Sequence, residues 1–246
     1  MRLKCTISYD GSQFSGYQVQ PNKRTVQSEL QEALSKLHKG QEVRVSGSGR
    51  TDAKVHAVGQ VIHFDTFLEI PTDRWPVALN SLLPEDIFVT EAKVVDDHFH
   101  ARFDAKAKEY RYRITQSGPR DVFKRNYSLY FPYALDKTAI TDASSYLLGT
   151  HDFTSFCAAR TDVKDKVRTI YEIDVYEEGT DLIIRFLGNG FLYNMVRIIV
   201  GTLLDAGQGL LQPSELKDII VAQDRSLSGK TVPGHGLYLW KVYYDN

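Results

Sequence analysis

Alternating apolar and polar positions in the first 95 residues predict strands that are separated by two segments with helical spacing. The predicted strands are residues 3–9, 43–45, 61–67 and 87–95. After a Thr25 cap, apolar residues recur at helical intervals until Gly40, and a second helix is predicted to begin at Thr72 or Asp73. The order is therefore β-α-β-β-α-β, which is typical of a ferredoxin-like unit.

The second half repeats this order of elements without repeating the sequence. Its predicted strands are 109–115, a hairpin formed by 167–176 and 182–187, and 237–243. Helices are predicted from Asp136, from Pro213 and over the apolar segment 191–204. The seam between the halves lies near 97–106. We therefore expect an α+β chain with two ferredoxin-like domains, residues 1–104 and 105–246.

Composition indicates an ordinary folded protein, because 42% of the 246 residues are hydrophobic and 25% are charged. We expect no secretory leader, since no apolar run follows Arg2, and no membrane span, since the longest apolar segment is short and contains Arg197. Cys5 and Cys157 stand alone, which favours reduced thiols and a cytoplasmic location. The run 96–100 lacks a second ligand pair at zinc spacing, so no metal site is predicted.

The net charge of −1 is unevenly distributed along the chain. Between positions 101 and 125, eight basic and three acidic residues give a balance of +5, and four aromatic residues are interleaved: Phe103, Tyr110, Tyr112 and Phe123. Cations that meet phosphates and rings that stack on unpaired bases suit a polynucleotide. For the segment alone, a strand with a solvated basic face is an equally good interpretation.

The segment 46–57 combines three properties in one loop. Gly47 and Gly49 permit backbone conformations that other residues rarely adopt, or a close approach to a ligand. Arg50 offers a planar cation that suits phosphate or stacking on a base, and Asp52 supplies a carboxylate. Without further information, an Asp beside an Arg on such a loop indicates a turn or a salt bridge.

The string Arg-Thr-Asp-Ala-Lys-Val-His-Ala at 50–57 resembles the catalytic-aspartate motif of the tRNA pseudouridine synthase A family, Arg-Thr-Asp-Ala-Gly-Val-His-Ala. Further blocks resemble the family in its own order, at 9–18, at 99–103 with 108–112, and at 190–197. Lys54 departs from the family's Gly, which costs about 1 kcal/mol if the position requires a positive φ. Ser12 and Tyr17 stand where Thr and Trp are common.

The resemblance implies a fold and a function. The two units would form one continuous, mostly antiparallel sheet with helices on one face and a central groove. The protein would isomerise uridine to pseudouridine at positions 38, 39 and 40 of the tRNA anticodon stem-loop, as a homodimer whose tRNA contacts both subunits. The reaction needs neither redox chemistry nor external energy, so no cofactor is expected. The target nucleotide must be flipped out of its stem, because the reacting atoms are unreachable inside it.

Arg197 lies in a predicted helix that is apolar on most faces, so we expect a carboxylate partner for its guanidinium. Asn194, Arg197 and Gly201 share one stripe, and the small Gly201 admits another backbone close by. We predict that this stripe faces Asp52 and that Arg197 pairs with it, which would keep Asp52 ionised. The alternative is an arginine that reaches solvent past a helix end.

The predicted catalytic residues are Asp52, Tyr110 and Arg197. Tyr110 occupies the family's tyrosine position, where its ring would stack on the extruded uracil and its hydroxyl would exchange a proton at C5. Viewed alone, a tyrosine in a strand more often packs half-buried. The predicted substrate-binding residues are Arg50, Tyr110, Arg102, Lys108, Arg111 and Asn194.

Two other function classes stay open at this point. A non-catalytic RNA-binding module with ferredoxin-like units would use the same basic and aromatic residues, so only turnover that depends on Asp52 separates it from an enzyme. A structural interaction domain predicts neither affinity for tRNA nor salt-dependent binding.

Overall fold

The computed structural model describes residues 1–116, 118–158 and 163–245, which divide into two compact units. Unit 1 comprises residues 1–106 and the C-terminal segment that starts at Tyr238, and unit 2 comprises Ala107–Leu237. Within these residues the strand pairings are mostly antiparallel and several helices accompany them. The predicted mixed, mostly antiparallel fold class is confirmed.

The strands are β1 (Arg2–Tyr9), β2 (Ser46–Gly47), β3 (His56–Asp65), β4 (Ile87–Val95), β5 (Ala107–Thr115), β6 (Leu129–Tyr130), β7 (Gly149–Asp152), β8 (Val167–Glu178), β9 (Asp181–Gly188) and β10 (Leu237–Tyr243). The helices are α1 (Val26–Leu37), α2 (Trp75–Asn80), α3 (Lys137–Ser145), α4 (Met195–Gly207) and α5 (Glu215–Ala222). No helix in the described part of the chain has the length and apolar character that crossing a membrane requires.

In unit 1 the sheet order is β4-β1-β3-β10, and β2 also pairs with β3. The predicted order of elements is confirmed as β1-α1-β2-β3-α2-β4. Thr25 caps α1 as predicted, through a reciprocal capping box with Ser28. Two predicted strands are misplaced: the second is Ser46–Gly47 rather than 43–45, and the third is His56–Asp65 rather than 61–67. The helix predicted to begin at Thr72 or Asp73 is a 3-10 turn over Thr72–Arg74 that leads into α2 at Trp75.

The last strand of the chain packs into unit 1. β10 runs parallel to β3, with Tyr238 opposite His56 and Leu239 opposite Ala57. A side chain at Gly59 would place its Cβ 2.6 Å from the Trp240 carbonyl oxygen, so the two backbones approach closely there. The Tyr244 hydroxyl then donates to the Ala101 carbonyl at 2.6 Å, which fastens the C-terminal segment to the unit.

In unit 2 the order is β5-β9-β8-β7, and β6 lies parallel to β5. The predicted hairpin is confirmed as β8 and β9, whose turn contains Gly179 at φ 62°. Asp136 caps α3 as predicted, by accepting from the backbone of Thr138 and Ala139. The short strands β6 and β7 were not predicted, because two to four residues carry too little alternation to detect.

The apolar helix α4 begins at Met195, four residues later than predicted. Asn194 adopts a left-handed conformation with φ 60°, which interrupts helical geometry just before that point. Arg197 is therefore the third residue of the helix and not a residue of its middle. Nearly every other residue of α4 is buried, so the helix forms the core of unit 2 as its apolar sequence predicts.

Candidate active site

The loop that carries Arg50 and Asp52 joins β2 to β3 in unit 1. It turns just after the aspartate, where the Asp52 carbonyl accepts from the Val55 amide at 3.2 Å. Lys54 occupies this turn with φ 64°. The position at which the family usually has glycine therefore does adopt a positive φ in this structure. A side chain in that conformation costs about 1 kcal/mol relative to glycine.

A buried glutamine on β3 holds the first part of this loop. Gln60 accepts from the Ser48 hydroxyl at 2.5 Å and donates to the Gly49 carbonyl at 2.8 Å. Ser48 and Gln60 are both fully buried. Hydrogen bonds among fully buried groups are costly to break, because water cannot replace the lost partner. Gln60 of β3 therefore fixes Ser48 and the Gly49 backbone, immediately before Arg50.

The N-terminal block fixes the loop on the other side of Arg50. Thr51 is buried, its hydroxyl lies 2.8 Å from the Tyr9 hydroxyl, and its carbonyl accepts from the Tyr17 amide at 3.0 Å. Gly16 has φ 110°, and a Cβ there would lie 3.0 Å from the Thr51 carbonyl oxygen. Gly16 and Tyr17, which belong to the family-like block 9–18, thus contact Thr51, the residue before Asp52.

Anchors on both sides leave the middle of the loop to face outward. The Arg50 side chain is exposed, whereas Asp52 is half-buried. A half-buried carboxylate on a fixed backbone suits an acid, a base or a nucleophile, because its position is set before a substrate binds. This geometry is more specific than the turn or salt bridge that the loop composition alone suggests.

His56 supports the end of the same loop and was not predicted as a site residue. Its Nδ1 accepts from the Gly11 amide at 3.0 Å and lies 3.2 Å from an Asp10 carboxylate oxygen. Its ring stacks on Tyr238 with 4.7 Å between the centroids. The sequence signal for it was the histidine of the loop motif itself, which follows Asp52 by four positions.

Arg102, the remaining predicted site residue of unit 1, is exposed on the family-like segment 99–103. The backbone of that segment is held by histidines. His63 Nδ1 accepts from the Ala101 amide at 3.1 Å, and His100 Nδ1 accepts from the Arg102 amide at 3.1 Å. The Arg102 guanidinium lies 5.8 Å from the Phe103 ring centroid, and the side chain is exposed.

In unit 2, Tyr110 lies on β5 opposite Phe186 of β9, and its side chain is 8% exposed. The ring meets Phe191 edge to face, with 5.1 Å between centroids and an angle of 79°. This contact fixes the plane of the tyrosine ring. The tyrosine therefore packs as a strand position suggests, and its role toward substrate stays a prediction.

Lys108 and Arg111 flank Tyr110 on the same strand, and both are half-buried. Arg111 donates from Nε to a Glu109 carboxylate oxygen at 2.8 Å, and Glu109 is buried. Arg185 also approaches this carboxylate, with its Nε 3.3 Å away. Part of the positive charge predicted for RNA is therefore neutralised within the unit.

Asn194 and Arg197 are in contact, as their shared stripe predicts. Arg197 donates from Nη1 to Asn194 Oδ1 and from Nε to the Val232 carbonyl, each at 2.7 Å. The backbone expected at Gly201 is that of Lys230, whose carbonyl oxygen would lie 1.9 Å from an added Cβ. The guanidinium is thus held in place by its own helix and by the segment 230–232. Its pairing with Asp52 stays a prediction.

The described part of the chain contains no group of three or more His, Cys, Asp or Glu side chains placed to hold a metal ion. In the histidine-containing run 96–100, Asp96 instead accepts from the His98 amide at 2.8 Å. Such a bond is typical of a surface turn that an aspartate stabilises.

Comparison with known proteins assigns the chain to a family. A family model described as tRNA pseudouridine synthase matches residues 6–104 and 143–245. The chain is 62% identical over 247 residues to a tRNA pseudouridine synthase A of Bacillus subtilis (strain 168), with 100% of both proteins covered. It is also 62% identical over 245 residues to tRNA pseudouridine synthase A of Anoxybacillus flavithermus, covering 100% of this chain and 99% of the relative.

One solved structure, a Cbf5-Nop10-Gar1 complex, superposes with a TM-score of 0.34 at 16% identity over 82% of this chain and 54% of that one. So distant a likeness adds nothing to the assignment. The family model covers most of the residues, and the relatives match over their whole length. The chain therefore belongs to the tRNA pseudouridine synthase A family, and pseudouridine synthases are isomerases.

Proposed function

We propose that the protein converts uridine to pseudouridine at positions 38, 39 and 40 of the tRNA anticodon stem-loop, with Asp52 as the catalytic residue. The observation that carries the proposal is the loop around Asp52. Its backbone is anchored by Gln60 on one side of Arg50 and by the Tyr17 amide on the other, and the Asp52 carboxylate is half-buried. Family membership supplies the reaction class.

The proposed reaction breaks the bond between uracil N1 and ribose C1′ and forms a bond between C5 and the same C1′. N1 gains a proton and C5 loses its hydrogen, so atoms and electrons balance without a redox partner. Asp52 acts directly on the nucleotide, as nucleophile or as base, and the fixed loop holds it in place while the base turns. We expect the chain's own residues to suffice for this chemistry.

Tyr110 and Arg197 have supporting roles in the proposal. Tyr110 stacks on the detached uracil, and its contact with Phe191 keeps its ring in one orientation. Arg197 supplies a fixed positive charge, since the Val232 carbonyl and Asn194 already orient its guanidinium. A charge that needs no reorientation stabilises a carboxylate or phosphate more than a mobile one does.

Binding requires that the target base leave its stem, and we propose that Arg50 fills the vacated space or holds the flipped nucleotide's phosphate. Its exposed side chain next to the half-buried aspartate supports that role. Arg102 and Lys108 bind the RNA backbone. Arg111 contributes less, because it shares its charge with Glu109.

The proposal includes a homodimer that acts in the cytoplasm, with tRNA touching both subunits. It rests on the family resemblance. Light scattering coupled to size-exclusion chromatography tests it, since the chain mass is 27.9 kDa and a dimer has twice that mass. A monomer at working concentration, alone and with tRNA, contradicts this part of the proposal only.

The decisive experiment uses tRNA transcripts labelled with tritium at uridine C5, because forming the new bond expels that label. Wild type, Asp52→Asn and the control Asp97→Asn are compared. Asp97 is an exposed carboxylate in the same unit. We expect release by wild type and by the control, and none by Asp52→Asn despite normal folding and tRNA binding.

Two results contradict the proposal. Release by Asp52→Asn at the wild-type rate removes Asp52 from the chemistry. Tight, salt-dependent binding of every tRNA without release by wild type supports the non-catalytic RNA-binding module instead. Loss of folding in Asp52→Asn makes the aspartate a structural residue, and circular dichroism of the variant detects it.

A further inference from the structure

In unit 2 the chain leaves β5, forms a surface segment at 118–130 and returns as β6. This segment, which we call the 118–130 segment, borders a cavity of about 260 Å³. Arg120, Arg125 and Tyr130 line the cavity, and His235 closes one wall from the turn that precedes β10. None of these residues belongs to the loop of Asp52 or to the contacts of Arg197.

An aromatic ring stands at the tip of the segment on a well-supported backbone. Phe123 is 82% exposed. Its amide donates to Asp121 Oδ1 at 2.8 Å, and the Lys124 amide donates to the Asp121 carbonyl at 3.2 Å. These two hydrogen bonds hold the backbone of the turn, and the exposed ring on it is accessible to a ligand.

The segment is fastened to the sheet by a buried polar network. Lys124 donates from Nζ to Asp181 Oδ1 at 2.8 Å, and Thr115 donates to the same oxygen at 2.7 Å. The Thr115 hydroxyl also lies 2.7 Å from that of Ser128. Asp181 is buried, so its charge is matched by Lys124 within the protein. The cations that remain for a ligand at this cavity are those of Arg120 and Arg125.

We propose that the 118–130 segment is an RNA-binding element in which Arg120 and Arg125 bind a backbone phosphate at the cavity and Phe123 stacks on an unpaired base. The inference rests on the proposed function, because that function makes RNA the ligand. Guanidinium groups bind phosphate through paired donors, and single-stranded bases stack on exposed rings whatever their sequence. The cavity of about 260 Å³ has room for a phosphate group.

Exposed aromatic and arginine side chains also occur at protein interfaces. The charge around this cavity favours a polyanion, because its lining contains Arg120, Lys124 and Arg125 but one carboxylate, Asp121. A protein partner is therefore the competing outcome of the test and not part of the proposal.

The test measures the affinity of the full-length protein for a fluorescein-labelled tRNA transcript over a series of salt concentrations. The variants are Phe123→Ala, Phe123→Trp, Arg120→Ala and Arg125→Ala. Leu210→Ala is the matched control, because Leu210 is 73% exposed in the same unit and lies outside the segment. Tritium release from the same tRNA gives KM for each variant.

We expect Phe123→Ala to weaken binding at least about fivefold and to raise KM, and Phe123→Trp to restore both, because tryptophan keeps the stacking surface. Each arginine variant should reduce the slope of log affinity against log salt by about 0.7 to 0.9. The control should match wild type.

Unchanged affinity and slope in all four variants overturn the inference, as does loss in Phe123→Ala that Phe123→Trp does not restore. If the variants change the oligomeric mass of the protein and leave its affinity for tRNA unchanged, the segment is a protein interface and the inference is overturned. Failure of the proposed function is distinct, since it shows in wild type as absence of tritium release.

Discussion

The Ser48 hydroxyl donates to Gln60 Oε1 across 2.5 Å, and Gln60 Nε2 donates in turn to the Gly49 carbonyl. One fully buried side chain therefore joins two consecutive residues of the loop that presents Asp52. No water is needed for this arrangement, because the glutamine supplies both the acceptor and the donor.

Gln60→Met keeps the size of this side chain and removes its hydrogen bonds. We expect a loss of about 2–4 kcal/mol in the free energy of unfolding, since buried partners are left unsatisfied. Turnover should fall more than tenfold, because small misplacements of a catalytic group are costly. Urea denaturation and tritium release measure the two effects, and Gln41→Met, at an exposed position, is the control. Full activity in a destabilised Gln60→Met variant contradicts the positioning role.

Two buried tyrosines beneath the loop should respond oppositely to loss of the hydroxyl. The Tyr9 hydroxyl bonds with Thr51, whereas the Tyr17 hydroxyl is buried without a partner among the described residues. Tyr9→Phe should therefore cost about 1–2 kcal/mol in the free energy of unfolding, and Tyr17→Phe should leave it unchanged or raise it by up to about 1 kcal/mol. Equal losses in urea denaturation contradict this difference.

Lys54→Gly should stabilise the protein, because Lys54 is held at φ 64°. Glycine removes the steric cost of about 1–2 kcal/mol and adds up to about 1 kcal/mol of unfolded-state entropy. The expected net gain is about 0.5 kcal/mol, measured as a shift of the urea midpoint without a change in slope. The reverse change at Gly16, to alanine, should destabilise, because its φ is 110° and Thr51 lies against it. A destabilising Lys54→Gly contradicts the strain argument.

Gly201→Ala should destabilise the protein by several kcal/mol and displace the segment that holds Arg197. An added Cβ would lie 1.9 Å from the Lys230 carbonyl oxygen, which is far inside van der Waals contact. Gly190→Ala is the control, because its Cβ would meet only the Arg168 side chain at 3.7 Å. Thermal unfolding of both variants tests the prediction. If Gly201→Ala is as stable as the control, the 230–232 backbone shifts without an energetic cost and the prediction is wrong.

His63 should make stability depend on pH. Burial, together with the nearby His100 and Arg2, lowers its pKa to about 4 against the opposing effect of Asp65 and Asp104. Because the folded pKa lies below the ordinary value of about 6.5, the unfolded chain takes up the proton first as the pH falls. This contribution to stability is complete above pH 6.5 and is lost between about pH 6.5 and 4.

The expected loss between pH 7.5 and pH 5 is on the order of 1–2 kcal/mol in the free energy of unfolding. Urea denaturation at the two pH values measures it. His63→Gln should show a smaller difference between them, since that side chain does not titrate there. A pH dependence that is identical in this variant assigns the effect to other histidines.

Features with a local cause were predicted well from the sequence. Thr25 and Asp136 cap helices because each side chain satisfies amides of its own first turn. Gly201 was predicted to admit a backbone because it interrupts an otherwise bulky apolar helix. The fold class follows from such elements, since their order limits the sheets that they can form.

Features that depend on the conformation of the folded chain were missed. Gln60 lies just before the predicted strand 61–67, and its role arises because β2 pairs with β3 beside it. The start of α4 was placed too early because a left-handed asparagine has no signature in an apolar run. The charge predicted for RNA was overestimated at Arg111, because Glu109 lies two residues away on the same face of the strand and pairs with its guanidinium.

The return of β10 to unit 1 has a consequence for biosynthesis. The strand that pairs with β3 is separated from residues 1–106 by the 130 residues 107–236. At translation rates of about 5–20 residues per second, the ribosome takes roughly ten seconds to produce them. During that interval β10 is not yet available, and the edge of β3 near His56 is unpaired in the nascent chain. The loop with Asp52 therefore acquires the support of β10 only after the whole of unit 2 has been synthesised.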